Sequence, residues 1–188
     1  MPLDLPSTIC FRVTRYCNAR CSFCLAPPDG AHPDVGTLTR RLDWLLLHGV
    51  KTIHFCGGEP TIHPGLPTLL EHVDAIGGKI KLTTNGITMP DVLLTIFHAT
   101  DTQVKVSLHG NREHHDAIVG RKAFEHTTRT LGRLVAAGIR TFSADYGSSG
   151  RSGGCGVGIW ILLGNQGAST KYHALHSPRQ WPSPSRRV

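Results

Sequence analysis

Four short segments of this chain alternate apolar and polar residues, and each is followed by a stretch whose apolar residues recur at helical spacing or whose first turn suits a helix. Ile9 to Arg15, Lys51 to Phe55, Lys79 to Thr84 and Thr102 to Leu108 read as strands, and a fifth begins at Ile139 to Phe142. Leu38, Leu42, Leu45 and Leu46 fall on one helical face, with Gly49 as a stop. Leu69, Leu70, Val73 and Ile76 mark a second helix, ended by Gly77-Gly78. Pro90 suits the first turn of a third, where its missing N–H costs nothing. Phe124, Leu131, Leu134 and Val135 make the stripe of a fourth, closed by Gly138. This alternation predicts an α/β fold with a parallel sheet and right-handed crossovers.

The strands have two unlike faces, because side chains alternate along a strand. Ile9, Phe11, Val13, Ile53, Phe55, Ile80, Leu82, Val104, Val106 and Leu108 lie on one side. Cys10, Arg12, Thr14, His54, Cys56, Lys81, Thr83, Asn85, Lys105, Ser107 and His109 lie on the other. The apolar face packs against the helices. Closed eight-stranded barrels fill their interior with branched apolar side chains. A polar inner face instead predicts an open lumen that holds a polar ligand, since parallel sheets are covered on both sides. The competing expectation is a solvent-exposed face of an incomplete sheet. Arg12, Lys81 and Lys105 place positive charge there, suited to an anionic group of a cofactor or substrate.

One loop names a chemistry. Cys17-Asn18-Ala19-Arg20-Cys21-Ser22-Phe23-Cys24 has the spacing C-x3-C-x2-C. Three thiolates so close can hold three corners of an iron–sulfur cube and leave one iron open. Bacterial ferredoxins use C-x2-C-x2-C with a distant fourth cysteine. Zinc sites usually take four ligands, and no histidine falls at such spacing near this loop. Cys21 and Cys24 alone could form a dithiol redox pair, which leaves Cys17 unexplained. On the triplet alone, zinc and redox thiols stay open beside a cluster.

The run Phe11 to Cys17 with its triplet resembles the opening of radical S-adenosylmethionine (radical SAM) enzymes. Phe55-Cys56-Gly57-Gly58-Glu59-Pro60 is similar to that family's Gly-Gly-Glu-Pro element. Leu82 to Gly86 and Val106 to Gly110 are similar to the ends of its third and fourth strands. The four segments occur in the family's order and span roughly residues 8 to 143. The resemblance implies a partial (β/α)6-like barrel of the TIM type, with about four and a half β/α units present. It implies that Cys17, Cys21 and Cys24 ligate a 4Fe–4S cluster whose open iron takes the amino and carboxylate groups of S-adenosylmethionine. Reductive cleavage would then give a 5′-deoxyadenosyl radical that abstracts hydrogen from a substrate. It also implies cofactor contacts from Phe23, Gly57, Gly58, Glu59, Pro60, Asn85, Ser107 and His109, with Glu59 and backbone carbonyls accepting from the amino group. The two glycines would let backbone approach a ligand. His115-Asp116-Ala117-Ile118-Val119-Gly120 resembles a His-Asp-x-x-Arg-Gly segment. Val119 stands where an arginine is usual, and Arg121 is the candidate substitute. The implied partners are a peptide or small-molecule substrate and an electron donor such as a flavodoxin or ferredoxin.

Cys10, Cys56 and Cys155 have no ligand partner nearby in sequence and are expected as small buried apolar residues. The net charge of +7 invites a nucleic-acid reading, but five cations and no acid follow Asp145, leaving +2 for the body of the chain. A nucleic-acid surface belongs on the folded body, so none is expected. The longest apolar run, Ile159 to Leu163, is far below the ~20 residues that span a bilayer, and the amino terminus lacks a signal-peptide pattern. Cysteine usage fits a reducing, cytoplasmic setting. The expected division is a core over 1–145 and an irregular Gly/Ser/Pro/Arg-rich tail over 146–188, either disordered or a frameshifted continuation of a longer enzyme. The readings are then a radical SAM enzyme, a non-catalytic remnant that binds a cluster, and, more distantly, a zinc-binding module.

Overall fold

The computed structural model describes residues 4–24, 30–145 and 158–162. Strands β1 (Thr8–Thr14), β2 (Thr52–Gly57), β3 (Lys79–Thr84), β4 (Gln103–Ser107) and β5 (Thr141–Asp145) form one sheet in sequence order, every neighbouring pair parallel. Helices α1 (Val35–Leu47), α2 (Leu66–Ala75) and α3 (Asp91–Ala99) make the first three crossovers. The fourth crossover contains two helices, α4 (Arg112–Val119) and α5 (Phe124–Ala136). The result is the expected partial TIM-type barrel.

Local chemistry sets the element ends. Asp34 caps α1 by accepting from Thr37 N–H at 2.8 Å, and Asn111 caps α4 by accepting from His114 N–H at 3.0 Å. Ile139 donates its N–H to Leu134 at 3.0 Å, closing α5, so β5 starts at Thr141 rather than Ile139. The polar α4 buries only His115 and Val119, which is too narrow a stripe to announce a helix in the sequence.

The helix-facing strand residues behave as their pattern requires. Phe11, Val13, Ile53, Phe55, Ile80, Leu82, Val104 and Val106 are buried in one cluster with Leu38, Leu42, Leu69, Leu70, Val73, Leu93 and Leu134. Phe11 and Phe55 lie opposite each other on β1 and β2, rings edge to face at 6.0 Å. On the other face Arg12 and Lys81 are exposed, and His54, Cys56, Thr83, Lys105 and Ser107 are half-buried.

Two expectations change. Cys10 is exposed and Cys56 half-buried on the polar face, with their Sγ atoms 2.8 Å apart. Neither is a core residue, because strand alternation turns both away from the helices. Burial, with the Cys10 thiol as neighbour, pushes the Cys56 thiol up to about 12. Within the tail, Gly158–Leu162 is not irregular but forms β6, antiparallel to β5. Its β-branched and aromatic sequence suits pairing with the edge that β5 would otherwise leave open. Cys155 and the rest of 146–188 lie outside the described residues. Among the described residues no helix is long and apolar enough to cross a membrane.

Phe55→Ala removes one of the two largest fully buried side chains of the cluster, the other being Phe97. Urea unfolding should show a loss of about 3–5 kcal/mol; a loss below about 1 kcal/mol would mean that this sheet–helix core is misassigned.

Candidate metal centre at the strand ends

The cysteine loop leaves the carboxyl end of β1 and is held from three sides. Arg20 and Ser22 donate their N–H groups to Val119 and Ile118 carbonyls at 3.0 and 2.9 Å, so the end of α4 receives the loop. Ala19, Val119 and Ala123 form a small apolar cluster against Cys17, Cys21 and Ile87. Val119, at the position of the usual arginine, is therefore wall rather than ligand contact. Arg121 donates to the Asn18 carbonyl at 2.7 Å and so braces the loop. Gly120 has φ +74°, and a Cβ there would stand 2.8 Å from the Arg20 carbonyl oxygen. Asp116 accepts from Ala123 and Phe124 N–H groups, both at 2.8 Å, which fixes the turn into α5. Those backbone donors, Ala123 first, hold its carboxyl below the usual range.

The Gly-Gly-Glu-Pro element clamps the residues that lead into the loop. Gly58 donates to Thr14 O and Glu59 to Tyr16 O, each at 2.8 Å. A Cβ at Gly58 would lie 2.0 Å from Tyr16 O, and one at Gly57 2.4 Å from Thr14 O. The close approach that these glycines permit is thus to the chain itself. Pro60 opens a short 3-10 turn, Pro60–Ile62, and is buried.

Glu59 is 1% exposed. Its Oε1 accepts from Thr61 N–H at 3.0 Å and the Thr84 hydroxyl at 2.7 Å, with the Thr61 hydroxyl 2.6 Å away. Its Oε2 accepts from Asn85 N–H at 2.7 Å. Burial pushes the carboxyl above its ordinary range, and these donors oppose that shift. The carboxylate spends its acceptor capacity inward, tying the end of β2 to the end of β3.

Asn85 carries the tie to the thiols. Its side-chain N–H2 donates to Asn18 Oδ1 at 2.7 Å and reaches Cys17 Sγ at 3.9 Å, and its Oδ1 accepts from Ile87 N–H at 2.9 Å. The Thr127 hydroxyl donates to the Asn85 carbonyl at 2.9 Å, and His115 Nε2 lies 3.4 Å from that hydroxyl. His115 Nδ1 accepts from His109 N–H at 3.1 Å, which assigns the remaining proton to Nε2. Burial holds the His115 imidazole below its usual value, in the neutral form that this chain of contacts needs. Asn18, Thr61, Thr84, His115 and Thr127 are the participants that sequence reasoning did not assign to the site. His115 and Thr84 lie inside family-like segments and Asn18 inside the cysteine run, whereas Thr61 and Thr127 carried no signal.

Phe23 is 54% exposed and sets its ring edge-on to buried His109 at 5.4 Å. His109 stacks on His115 at 5.5 Å. Ser107 ends β4 half-buried on the polar face. Asn85 and the Gly-Gly-Glu-Pro element therefore adjoin the thiols, Phe23 and His109 pair at the loop's far end, and Ser107 sits on the sheet.

The donor set suits an iron–sulfur cluster. Cys17 and Cys21 are half-buried, Cys24 is exposed, and none of the three is in a disulfide. Burial, then the Glu59 carboxylate and Cys24, raises Cys17, and burial with Cys17 and Cys24 pushes Cys21 up to about 11. Three such thiols become ligands together only when a cationic centre neutralises them, and soft thiolates select clusters of this kind. Among the described residues no three His, Cys, Asp or Glu side chains converge on one ion-sized point.

The model of the Radical SAM superfamily matches residues 11–151. The chain belongs to the radical SAM superfamily. Members of this superfamily use a 4Fe–4S cluster and S-adenosylmethionine. This radical SAM chain is 35% identical over 130 residues to GTP 3′,8-cyclase of Chlorobaculum tepidum, covering 66% of itself and 39% of that protein. It is 34% identical over 144 residues to the mycofactocin maturase MftC of Mycobacterium tuberculosis, covering 73% of itself and 36% of the maturase. The chain thus spans well under half the length of these curated relatives. Among solved structures it is similar to Streptococcus suis SuiB bound to its precursor peptide SuiA, with TM-score 0.66 and 21% identity over 72% of this chain and 32% of SuiB. It is also similar to anSMEcpe with bound AdoMet and Cp18Cys peptide, with TM-score 0.64 and 17% identity over 72% of this chain and 41% of that one. These two likenesses carry the fold.

Two substitutions test the clamp. Gly58→Ala should leave the far-UV spectrum of the sheet intact while abolishing cluster uptake on anaerobic reconstitution; normal uptake would mean the contact with Tyr16 is dispensable. Glu59→Gln keeps the shape but turns an amide N–H2 toward one set of donors. It should cost about 1–3 kcal/mol of stability, read by urea unfolding, and an unchanged midpoint would contradict the inward role of the carboxylate.

Proposed function

We propose that this chain is the core of a radical SAM enzyme in which Cys17, Cys21 and Cys24 ligate the 4Fe–4S cluster. The observation that carries the reading is the triplet's placement: three cysteines outside any disulfide on one loop, whose backbone is held by the Gly-Gly-Glu-Pro clamp and by the end of α4. When bound, the cluster and S-adenosylmethionine supply a one-electron cleavage that gives a 5′-deoxyadenosyl radical able to take hydrogen from a substrate. The protein's part is orientation and exclusion of water. Asn85 and the backbone of Gly57 to Pro60 border the thiols and are assigned to the cofactor's amino-acid end. Phe23 and His109 cover the outer side, and Ser107 faces the remaining cofactor from β4. Glu59 acts through Asn85 and Thr61 rather than on the cofactor directly. Electrons would come from a flavodoxin- or ferredoxin-like donor.

The substrate class favoured is a peptide. MftC and the sporulation killing factor maturation protein SkfB of Bacillus subtilis are maturation proteins by name, and SkfB is 27% identical over 143 residues. SuiB, of similar fold, has a solved complex with its precursor peptide. One observation favours a second reading, a remnant that binds a cluster without turnover: β6 runs antiparallel along the β5 edge, where a further parallel β/α unit would extend the barrel.

Anaerobic reconstitution, reduction with dithionite and an assay for 5′-deoxyadenosine separate the readings. The enzyme reading predicts product that disappears in Cys17→Ala. A bound cluster without product would establish the remnant reading, and absence of any cluster would contradict both.

A further inference from the structure

On the polar face, toward the amino ends of the strands, an open cavity of about 230 Å³ is lined by His54, Lys81, Leu82, Gln103, Lys105 and Phe142. The parallel register builds it: His54 on β2 is opposite Lys81 on β3, Lys81 is opposite Gln103 on β4, and Lys105 is opposite Phe142 on β5. No acid lines it. Among the described residues neither ammonium has a carboxylate partner, as the ion pairs fall on Asp43, Asp91, Asp101 and Glu125. Lys81 is exposed and Lys105 half-buried, and two cations at one cavity without an acid create a positive potential that favours an anion there.

We propose that this cavity is an oxyanion site that anchors a carboxylate or phosphate group of the substrate, with Lys81 and Lys105 as its charges and His54 and Gln103 as its hydrogen-bonding groups. The site lies apart from the thiols. Lys81 is four residues below Asn85 on the same strand line, about 13 Å at strand rise, so it is too far to serve an anion held among the cysteine-loop residues. A substrate fixed there by its anionic end would extend up the polar face toward the cofactor. This placement rests on the radical SAM reading, but the binding itself does not.

His54 reports on the site. Its Nε2 meets the Thr83 hydroxyl at 2.7 Å. The groups facing it are Cys10 and Arg12 from β1, Cys56 on its own strand, Lys81 and Thr83 from β3, and Gln103 and Lys105 from β4. Burial, then Lys105 and Lys81, hold its imidazole below the ordinary value. An anion between the lysines offsets their field and moves the His54 titration upward.

The experiment is an NMR titration of His54 in the full reduced chain, free of iron and cofactor, with sulfate and acetate added separately at ionic strength held constant by sodium chloride. The expected result is saturable binding of at least one probe with an upward shift of the His54 titration. In K81M/K105M the anion effect should weaken at least about tenfold, while the anion-free titration itself moves up; K81R/K105R should keep binding. A preference for sulfate assigns a phosphorylated substrate, and a preference for acetate a carboxylate. No saturable effect of either probe, or an unchanged effect in K81M/K105M, overturns the proposal. Because no cluster is present, failure here is distinct from failure to form 5′-deoxyadenosine.

Discussion

The buried carboxylate of Glu59 organises the cysteine-bearing end of this sheet. Its oxygens join the end of β2 to Thr84 and Asn85 at the end of β3, and its own N–H joins the same point to Tyr16, one residue before Cys17. A carboxylate taken out of water is tolerated only when donors replace the lost hydration. Here backbone and hydroxyl groups from two strand ends do so, and in doing so fix each other's positions. Asn85 then passes that order to Asn18 and Cys17. The backbone that carries the cysteines is held on this side by these contacts, and the second wall, at Ile118 and Val119, is set by the cap at Gly120.

This arrangement gives the motif residues a sharper meaning than proximity to a ligand. Gly57 and Gly58 are required because the chain passes within contact of Thr14 and Tyr16. Val119 forms an apolar wall beside the cysteine loop, and the nearby guanidinium of Arg121 turns to the loop backbone. The polar face of the sheet divides into two regions, a thiol-bearing rim at the strand ends and a cationic cavity below it.

Much of this was legible in the sequence, for identifiable reasons. Period-two alternation in Phe11-Val13, Ile53-Phe55 and Val104-Val106 placed those side chains in the core, because one face of each strand is dry. The triplet spacing and Gly-Gly-Glu-Pro placed the site at the strand ends. Most of the failures share a cause: their residues depend on partners far away in sequence. Cys10 and Cys56, 46 residues apart, meet only through strand pairing and face the polar side. The helix α4 has too few buried positions to show a stripe. The inward use of Glu59 needs Thr61, Thr84 and Asn85 in place, and no local pattern displays that. Ile159 to Leu162 reads as a bare apolar run until the β5 edge is there to receive it.

Amide hydrogen exchange of the reduced, metal-free full chain tests the central claim most directly. If the fold seats the loop in advance, the amides of Arg20, Ser22, Gly58, Glu59 and Asn85 will be protected to nearly the same degree as those of the core strands at Phe55 and Leu82. Exchange at the rate of an open loop at Arg20, Ser22 and Asn85, with the core still protected, would show that the metal orders the site and that Glu59 does not.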